Sequence, residues 1–309
     1  MIVKMLRSRG GILFLFLAAV LFIVYDATHA ADDEATAQIK QESARLKEQR
    51  TTIRKSEEAI MQSLERSRKA MATTAEKGDA ESRRIAQEAV AEAQEALDTV
   101  QNLQAKLESR VRSFENALRL PKSAREYGIA TISLGQVRVE RKTGSFVLEP
   151  GSRVLEEESV ITGRAAYGEV YLPDGTFVML GPESVFIPAE VDRTNRIFMA
   201  DLKKGRVHVE KNCSDGDGAR CWATRYTTGS GFISFGKAEL VYEQRPNGTE
   251  TLTVLDGAVV YREKRSRKAT TLQVGDRLEV GLNGEVVSVK KVGKDDIQAW
   301  WDPDIRVRM

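Results

Sequence analysis

The sequence predicts an α+β protein whose helical and β parts are segregated. We expect an N-terminal signal or anchor helix, then a long α-helical coiled coil or helical hairpin, then a C-terminal all-β sandwich or roll. Three observations support this. A basic N-terminus precedes an apolar run, residues 32–120 contain no proline and one glycine, and the remainder is short β-type runs separated by glycine and proline turns.

The first segment, residues 1–31, has the pattern of a signal peptide or membrane anchor. Lys4, Arg7 and Arg9 precede the apolar run ILFLFLAAVLFIVY at 12–25, and small residues follow it. Fourteen residues are few for a bilayer span, which needs about 20. Cleavage and retention therefore both remain open, and in the second case residues 12–25 would contact the membrane. Either outcome predicts an extracytoplasmic protein of the periplasm or cell envelope, either free or anchored in the inner membrane.

The second segment, residues 32–120, is predicted to be helical because Glu, Gln, Lys, Arg and Ala dominate it. Gly78-Asp79 suits a helix end followed by an N-cap, which places one helix end at Lys77 and the next start at Ala80. Two arrangements are then open: a helical hairpin, or one long rod within an oligomer. Self-association through the coiled coil is therefore one of the interactions that we expect. The seam is a seven-residue pattern formed by Ala86, Val90, Ala93, Leu97, Val100, Leu107, Val111, Phe114 and Leu118.

The third segment, residues 121–293, is predicted to be a β domain. Pro121 ends the helix, and turns such as Pro173-Asp174-Gly175 and Pro246-Asn247-Gly248 separate short runs of β-forming residues. Many short strands of this kind are typical of a sandwich or roll. Residues 294–309 are predicted to form a short C-terminal helix and tail, with Trp300 and Trp301 on its buried side.

Turn signatures follow one another in this segment at Thr162-Gly163, Asp174-Gly175, Glu183-Ser184, Lys204-Gly205 and Asp256-Gly257, and their order resembles the FecR domain family. The similarity covers roughly residues 125–290, and it depends on the order of several turn signatures together. The resemblance implies an extracytoplasmic β domain that binds another envelope protein and passes a signal across the membrane. The motif positions are Thr162, Gly163, Asp174, Gly175, Ser184, Gly205 and Gly257.

The cysteines are the one pair of residues for which a covalent role is predicted. Cys213 and Cys221 enclose a polar stretch, and in an exported protein a disulfide closing this short loop is favoured, with free thiols as the alternative and a metal site last. His208 alternates with strand residues and is interpreted as facing solvent. We predict no metal site and no cofactor.

The leading functional hypothesis is a non-enzymatic interaction or scaffold protein, in which a helical stalk presents the β domain to an envelope protein. The sequence contains no P-loop, dinucleotide fingerprint, H-E-x-x-H or G-x-S-x-G motif. With 47 basic and 45 acidic residues, the net charge of +2 gives no electrostatic basis for nucleic acid binding. The alternative is a glycan- or peptidoglycan-binding protein, for which the candidate aromatic residues are Tyr167, Tyr171, Trp222 and Tyr242.

Overall fold

The computed structural model describes residues 9–77, 80–119, 126–172, 174–192, 194–211, 221–293, 296–297 and 299–303, without the side chains of residues 9–35, 74–77 and 126. Within these residues, two long helices precede fifteen strands. The helices are α1 (Arg9–Lys77) and α2 (Ala80–Arg119). The strands are β1 (Glu126–Leu134), β2 (Val137–Arg141), β3 (Gly144–Val147), β4 (Arg153–Leu155), β5 (Ser159–Thr162), β6 (Tyr167–Tyr171), β7 (Thr176–Leu180), β8 (Val185–Asp192), β9 (Ile197–Lys211), β10 (Ala223–Thr227), β11 (Gly231–Gln244), β12 (Glu250–Glu263), β13 (Ala269–Gln273), β14 (Asp276–Val280) and β15 (Val286–Lys291).

The two helices run antiparallel to one another. Near the sheet, Lys47 of α1 forms an ion pair with Glu115 of α2 at 2.7 Å. Toward the opposite end, Arg68 donates a hydrogen bond to Gln94 at 3.2 Å. Both are exposed contacts that add little stability, so the pairing depends on apolar residues between the helices.

The strands form one connected mixed sheet, and the prediction of a sandwich or roll is therefore wrong. Its main path runs β15-β14-β12-β11-β10-β9-β7-β6-β1-β4, and β2, β3, β5, β8 and β13 pair beside that path. Most neighbours are antiparallel, whereas β9 and β10 are parallel.

The sandwich prediction fails because glycines that suggest turns lie inside long strands. Gly205 has a φ of 90° and Gly257 a φ of 74°, yet β9 and β12 continue through these positions. The pairing of β11 with β12 shifts register between Phe235 and Ala238. The pairing of β8 with β9 also shifts register between Val185 and Phe186, close to Gly205. An added residue bends a strand and increases its twist without ending it, so both strands continue where the glycines alone suggest turns.

A second prediction is also wrong: the helical and β parts are not segregated into a coiled coil and a separate domain. The last turns of α2 pack on the sheet: Phe114 is fully buried and its ring lies 4.8 Å from that of Tyr171 on β6. One buried cluster joins Ile39 and Leu46 of α1 and Leu107 of α2 to sheet residues. The predicted heptad seam is therefore used partly against the sheet, and its last member, Leu118, is 36 % exposed.

The two ends of the described chain also differ from expectation. In the part of the chain that the structure describes, no helix is long and apolar enough to cross a membrane. α1 runs from Arg9 to Lys77 and thus through Ala31, where the sequence analysis places the end of the signal or anchor segment, and that boundary stays a prediction. Residues 296–297 and 299–303 contain no α-helix, and 299–303 instead form a turn against α2 and the sheet.

Candidate functional site

A cavity of about 720 Å³ lies where the two helices, the sheet and the C-terminal turn meet. Helical periodicity explains its helical walls, because residues three and four apart share one face of a helix. Four parts of the chain contribute its lining. These are Arg45, Glu48, Gln49, Thr52 and Ile53 of α1; Leu103, Lys106, Leu107 and Arg110 of α2; Met179, His208, Glu210 and Glu239 of the sheet; and Trp301 and Asp302 of the turn.

The sheet wall of the cavity is set by strand register. His208 and Glu210 lie two residues apart on β9 and therefore project from the same face of the sheet, opposite to the core residues Val207 and Val209. Across the β9–β11 pairing, Glu210 is directly opposite Glu239. The structure thus brings two carboxylates and an imidazole together on one wall.

His208 is buried, so the prediction that it faces solvent is wrong. Only 2 % of it is exposed, its Nε2 lies 2.9 Å from Oε1 of Glu239, and its ring stacks on Trp301 at 4.5 Å between centroids. Burial lowers the pKa of His208 below its ordinary value, although Glu239 opposes this by favouring the protonated form. The imidazole is therefore neutral near pH 7, and the tautomer that carries its proton on Nε2 can donate one hydrogen bond to the carboxylate of Glu239.

Beside the cavity, a buried ion pair fastens α2 to the sheet. Arg110 donates from Nε and Nη2 to the two carboxylate oxygens of Glu169 at 2.8 and 2.7 Å, and Thr131 donates to Oε1 at 2.7 Å. The guanidinium also lies 4.0 Å above the ring of Phe177. Burial alone would raise the pKa of Glu169, but Arg110 more than offsets this and the pKa is lowered. Both groups therefore stay charged.

The C-terminal turn closes one side of the cavity. Lys106 of α2 contacts Asp302 at 3.5 Å, and Asn102 donates to the carbonyl of Pro303 at 3.2 Å. From the sheet, the Tyr167 hydroxyl donates to the carbonyl of Trp301 at 3.1 Å. This turn is therefore held from both sides, by α2 and by β6.

The predicted motif turns lie elsewhere, and three of them form one hydrogen-bonded cluster. Thr162 Oγ1 donates to the carbonyl of Gly181 at 2.6 Å and accepts from the amide of Ser184 at 2.8 Å. Ser184 Oγ in turn accepts from the amide of Arg206 at 2.9 Å, beside Gly205. A Cβ at Gly205 would approach Ser184 Oγ to 2.4 Å. These residues join β5, β8 and β9 and have a structural role. Gly163 follows Thr162 and lines a smaller cavity of about 440 Å³.

The other motif positions are also structural. Asp174 forms a fully buried ion pair with Lys211, whose Nζ also donates to the carbonyl of Trp222 at 2.6 Å and to Thr224 at 2.8 Å. Gly175 has a φ of 84° in the β6–β7 turn. Gly257 has a φ of 74°, and a Cβ there would lie 2.5 Å from the carbonyl oxygen of Lys237, so this position of β12 requires glycine.

Two further predictions have different outcomes. Cys213 lies in 212–220, outside the described residues, so its pairing with Cys221 stays a prediction.

The aromatic residues considered for glycan binding are buried. Tyr167, Tyr171 and Tyr242 are each at most 3 % exposed, and Trp222 packs on the core, so these four do not form an exposed aromatic surface. Within the described ranges, no cluster of His, Cys, Asp or Glu could hold a metal ion.

The sequence interpretation named Leu107, His208 and Trp301 without assigning them to a cavity, and it missed the other lining residues. The available signal was the spacing of His208 and Glu210, which places both on one face of a strand. The position of Glu239 could not be found in this way, because it depends on the pairing of β9 with β11, two strands that are not consecutive in sequence.

Comparison with known proteins gives a partial structural similarity. No family model matches the chain, and no curated protein matches it. Two crystal structures of a putative anti-sigma factor from Parabacteroides distasonis ATCC 8503, at 1.65 and 2.50 Å resolution, are similar over part of the fold, each with 18% identity and a TM-score of 0.36. Each match covers 43% of this chain and 59% of the other, so this chain spans less than two thirds of those structures.

Proposed function

We propose that this protein is a non-enzymatic, FecR-like interaction protein of the bacterial envelope, and that it takes part in signalling by binding a partner at the large cavity. The observation that carries the proposal is that one cavity of about 720 Å³ has walls from both helices, the sheet and the C-terminal turn. This volume falls in the range of about 300–1,000 Å³ found for binding sites.

A ligand in this cavity would contact parts of the chain that are far apart in sequence. Thr52 of α1, Lys106 of α2 and Glu239 of β11 all line it. A ligand shifts a conformational equilibrium by as much as its affinity differs between the states. Occupancy of this cavity can therefore bias how the helices sit on the sheet, which is what a protein that relays a binding event requires.

The FecR-like assignment is supported by the cluster of Thr162, Ser184 and Gly205, since the motif residues that suggest the family meet at one place in the fold. The extracytoplasmic location, the protein partner and the scaffold role belong to the proposal. They are motivated by the basic and apolar N-terminal pattern and by the length of the helical segment.

The proposal is tested by photo-crosslinking in the native host. A photoreactive amino acid placed at Gln49 or Thr52, which are exposed on α1 at the cavity rim, should capture a protein of the cell envelope. The matched control is Glu190, an exposed position on β8 away from the cavity. Capture of the same proteins at all three positions, or no capture at the rim, would contradict the proposal. Protease treatment of spheroplasts tests the location, because an extracytoplasmic chain is digested while the membrane is intact.

A further inference from the structure

We infer that β3 (Gly144–Val147) is an open sheet edge at which a second copy of this chain adds its own β3 in antiparallel orientation, so that the sheets of two chains become continuous. The inference goes beyond the proposed function, because none of the residues that line the large cavity belongs to β3. It concerns how two copies of the chain associate.

The free edge of β3 is the starting observation. Among the described strands β3 pairs with β2 alone, and all four of its residues are exposed. The exposed fraction is 45 % for Phe146 and 74 % for Val147. An edge strand presents a row of backbone N–H and C=O groups that can pair with another chain. β3 therefore offers both hydrogen-bonding groups and apolar side chains to a strand placed beside it.

The hairpin register shows which backbone groups point out of this edge. The amide of Leu148 donates to the carbonyl of Val137 at 3.0 Å, so residue 148 directs its hydrogen bonds toward β2. Residues in an antiparallel pair alternate between hydrogen-bonded and non-hydrogen-bonded positions. Phe146 therefore bonds to β2 as well. The N–H and C=O groups of Ser145 and Val147 point away from β2 and lie at the open edge.

All of these outward groups are used in one antiparallel register between two copies. Ser145 lies opposite Val147 of the second copy, and the two residues exchange N–H···O bonds in both directions. A twofold axis repeats this pair, so no outward-pointing group of either Ser145 or Val147 is left unpaired. Phe146 then lies opposite Phe146 of the second copy at a non-hydrogen-bonded position, where facing side chains are in contact. The exposed ring is covered by its symmetry mate.

Charge favours a second copy over an unrelated strand. Lys142 precedes β3 and Glu149 follows it, and both are exposed. The contact of Lys142 with Glu157 is 3.8 Å long between exposed side chains and contributes little. Antiparallel pairing of two copies brings each Lys142 next to Glu149 of the other copy, at both ends of the joined strands. A parallel pairing would bring like charges together, so the charges also select the orientation.

The strands at the two ends of the main sheet path lack this combination. β15 is longer, but its pairing with β14 shifts register between Glu279 and Val280, and it ends in Lys290 and Lys291. Bulges and lysines are features by which natural edge strands avoid pairing with other chains. β4 has three residues, none of them exposed. β3 pairs with β2 without a register shift and is therefore the edge best suited to strand addition.

The joined edge is small, and this sets the design of the test. A stable interface buries about 1,200–2,000 Å² in total, so an edge of four residues forms a weak, concentration-dependent contact that is best detected by covalent trapping. Non-hydrogen-bonded positions place two Cα atoms about 4.5 Å apart, within the span of about 4.4–6.8 Å that a disulfide allows. A cysteine at position 146 should therefore crosslink to its own copy.

The experiment expresses the full chain in its native host with Phe146→Cys, in a Cys213→Ser/Cys221→Ser background that removes the native thiols. After mild oxidation, gel electrophoresis without reductant should show a dimer of twice the chain mass. Val287→Cys on β15, where the native side chain is 70 % exposed, is the matched control and should give at least about tenfold less dimer. No dimer at position 146, equal dimer at both positions, or a crosslink to a different protein would overturn the inference.

Charge reversal tests the register with changes at exposed side chains. Lys142→Glu in the Phe146→Cys chain should lower the dimer fraction about threefold, because acidic side chains then meet at both ends. Adding Glu149→Lys should restore it, since the reversed charges pair again. Both positions are exposed, so neither variant should change the melting temperature. A double variant that crosslinks no better than Lys142→Glu alone would mean that the two side chains do not meet, and the antiparallel register would be wrong.

Discussion

The guanidinium of Arg110 on α2 forms two hydrogen bonds with the carboxylate of Glu169 on β6, at 2.8 and 2.7 Å, and Glu169 is fully buried. This pair lies beside the cavity and connects the helical segment to the sheet. A buried pair of this kind need not stabilise more than apolar residues of the same size would. Its geometry does fix one orientation of α2 on β6, which is the relationship that a ligand in the cavity would have to alter.

Breaking this pair on one side should be strongly destabilising. Arg110→Met leaves the Glu169 carboxylate buried without its cation, which costs about 3–5 kcal/mol of unfolding free energy in comparable sites. Chemical denaturation measures this, with Arg138→Met in an exposed ion pair as the control, for which the change should stay below about 1 kcal/mol. The double variant Arg110→Met/Glu169→Leu should recover most of the loss. A double variant as unstable as the sum of the single changes would show that the pair is not coupled.

The same pair predicts loss of stability in acid. The pKa of Glu169 is lower in the folded protein than in the unfolded chain, so its contribution is fully present above the unfolded value of about 4.3. That contribution should be lost as the pH falls through the lowered folded pKa. Denaturation curves between pH 5 and pH 3 should show a steeper fall for wild type than for Glu169→Gln. Parallel curves would exclude Glu169 as the source.

His208 should produce a separate pH dependence. Its pKa is lowered by burial, so the unfolded chain takes up a proton first as the pH falls below the ordinary histidine value of about 6.5. The contribution of neutral His208 to the free energy of unfolding should therefore be fully present above that pH. It should decline toward pH 5, before carboxylates titrate. His208→Gln keeps a polar contact with Glu239 and should flatten the curve in this window. If the free energy of unfolding of His208→Gln depends on pH as steeply as that of wild type between about pH 6.5 and pH 5, the imidazole titrates in the folded protein as it does in the unfolded chain.

Several features were predictable because they depend on neighbours in sequence. The helix end at Lys77 and the helix start at Ala80 follow from Gly78-Asp79, and β7 (Thr176–Leu180) begins directly after the predicted turn Pro173-Asp174-Gly175. Features that depend on distant contacts were not predictable. Gly205 and Gly257 have the positive φ of turn glycines, but both pair with a neighbouring strand, and register shifts lie beside them, so β9 and β12 continue through these positions. Burial of His208 needs Trp301, almost a hundred residues later.

The loop between Cys213 and Cys221 should be closed by a disulfide in protein exported by its native host. The loop-entropy model gives about 2–3 kcal/mol of stabilisation for a ring of this size. Mass analysis without reductant should find the chain two hydrogens lighter than the reduced form, a difference of about 2 Da expected for any disulfide. Two thiols open to alkylation before reduction would contradict the prediction. Protein made in a reducing cytoplasm is the control, since it should carry free thiols.

The backbone conformation of Gly205 gives the sharpest test of the motif cluster. Its φ of 90° disfavours any side chain, and a Cβ there would lie 2.5 Å from Cα of Ser184. Gly205→Ala should therefore lower the free energy of unfolding by about 1–3 kcal/mol, the usual range for one strained backbone position.

Gly236→Ala is the matched control, because Gly236 lies at the β11 bulge with nothing within 4 Å of the added Cβ. Its stability should change by less than about 0.5 kcal/mol, as at ordinary surface sites. Both variants are compared by chemical denaturation. Equal effects would mean that the strand tolerates a side chain at Gly205, and the contact with Ser184 would then not hold β8 to β9.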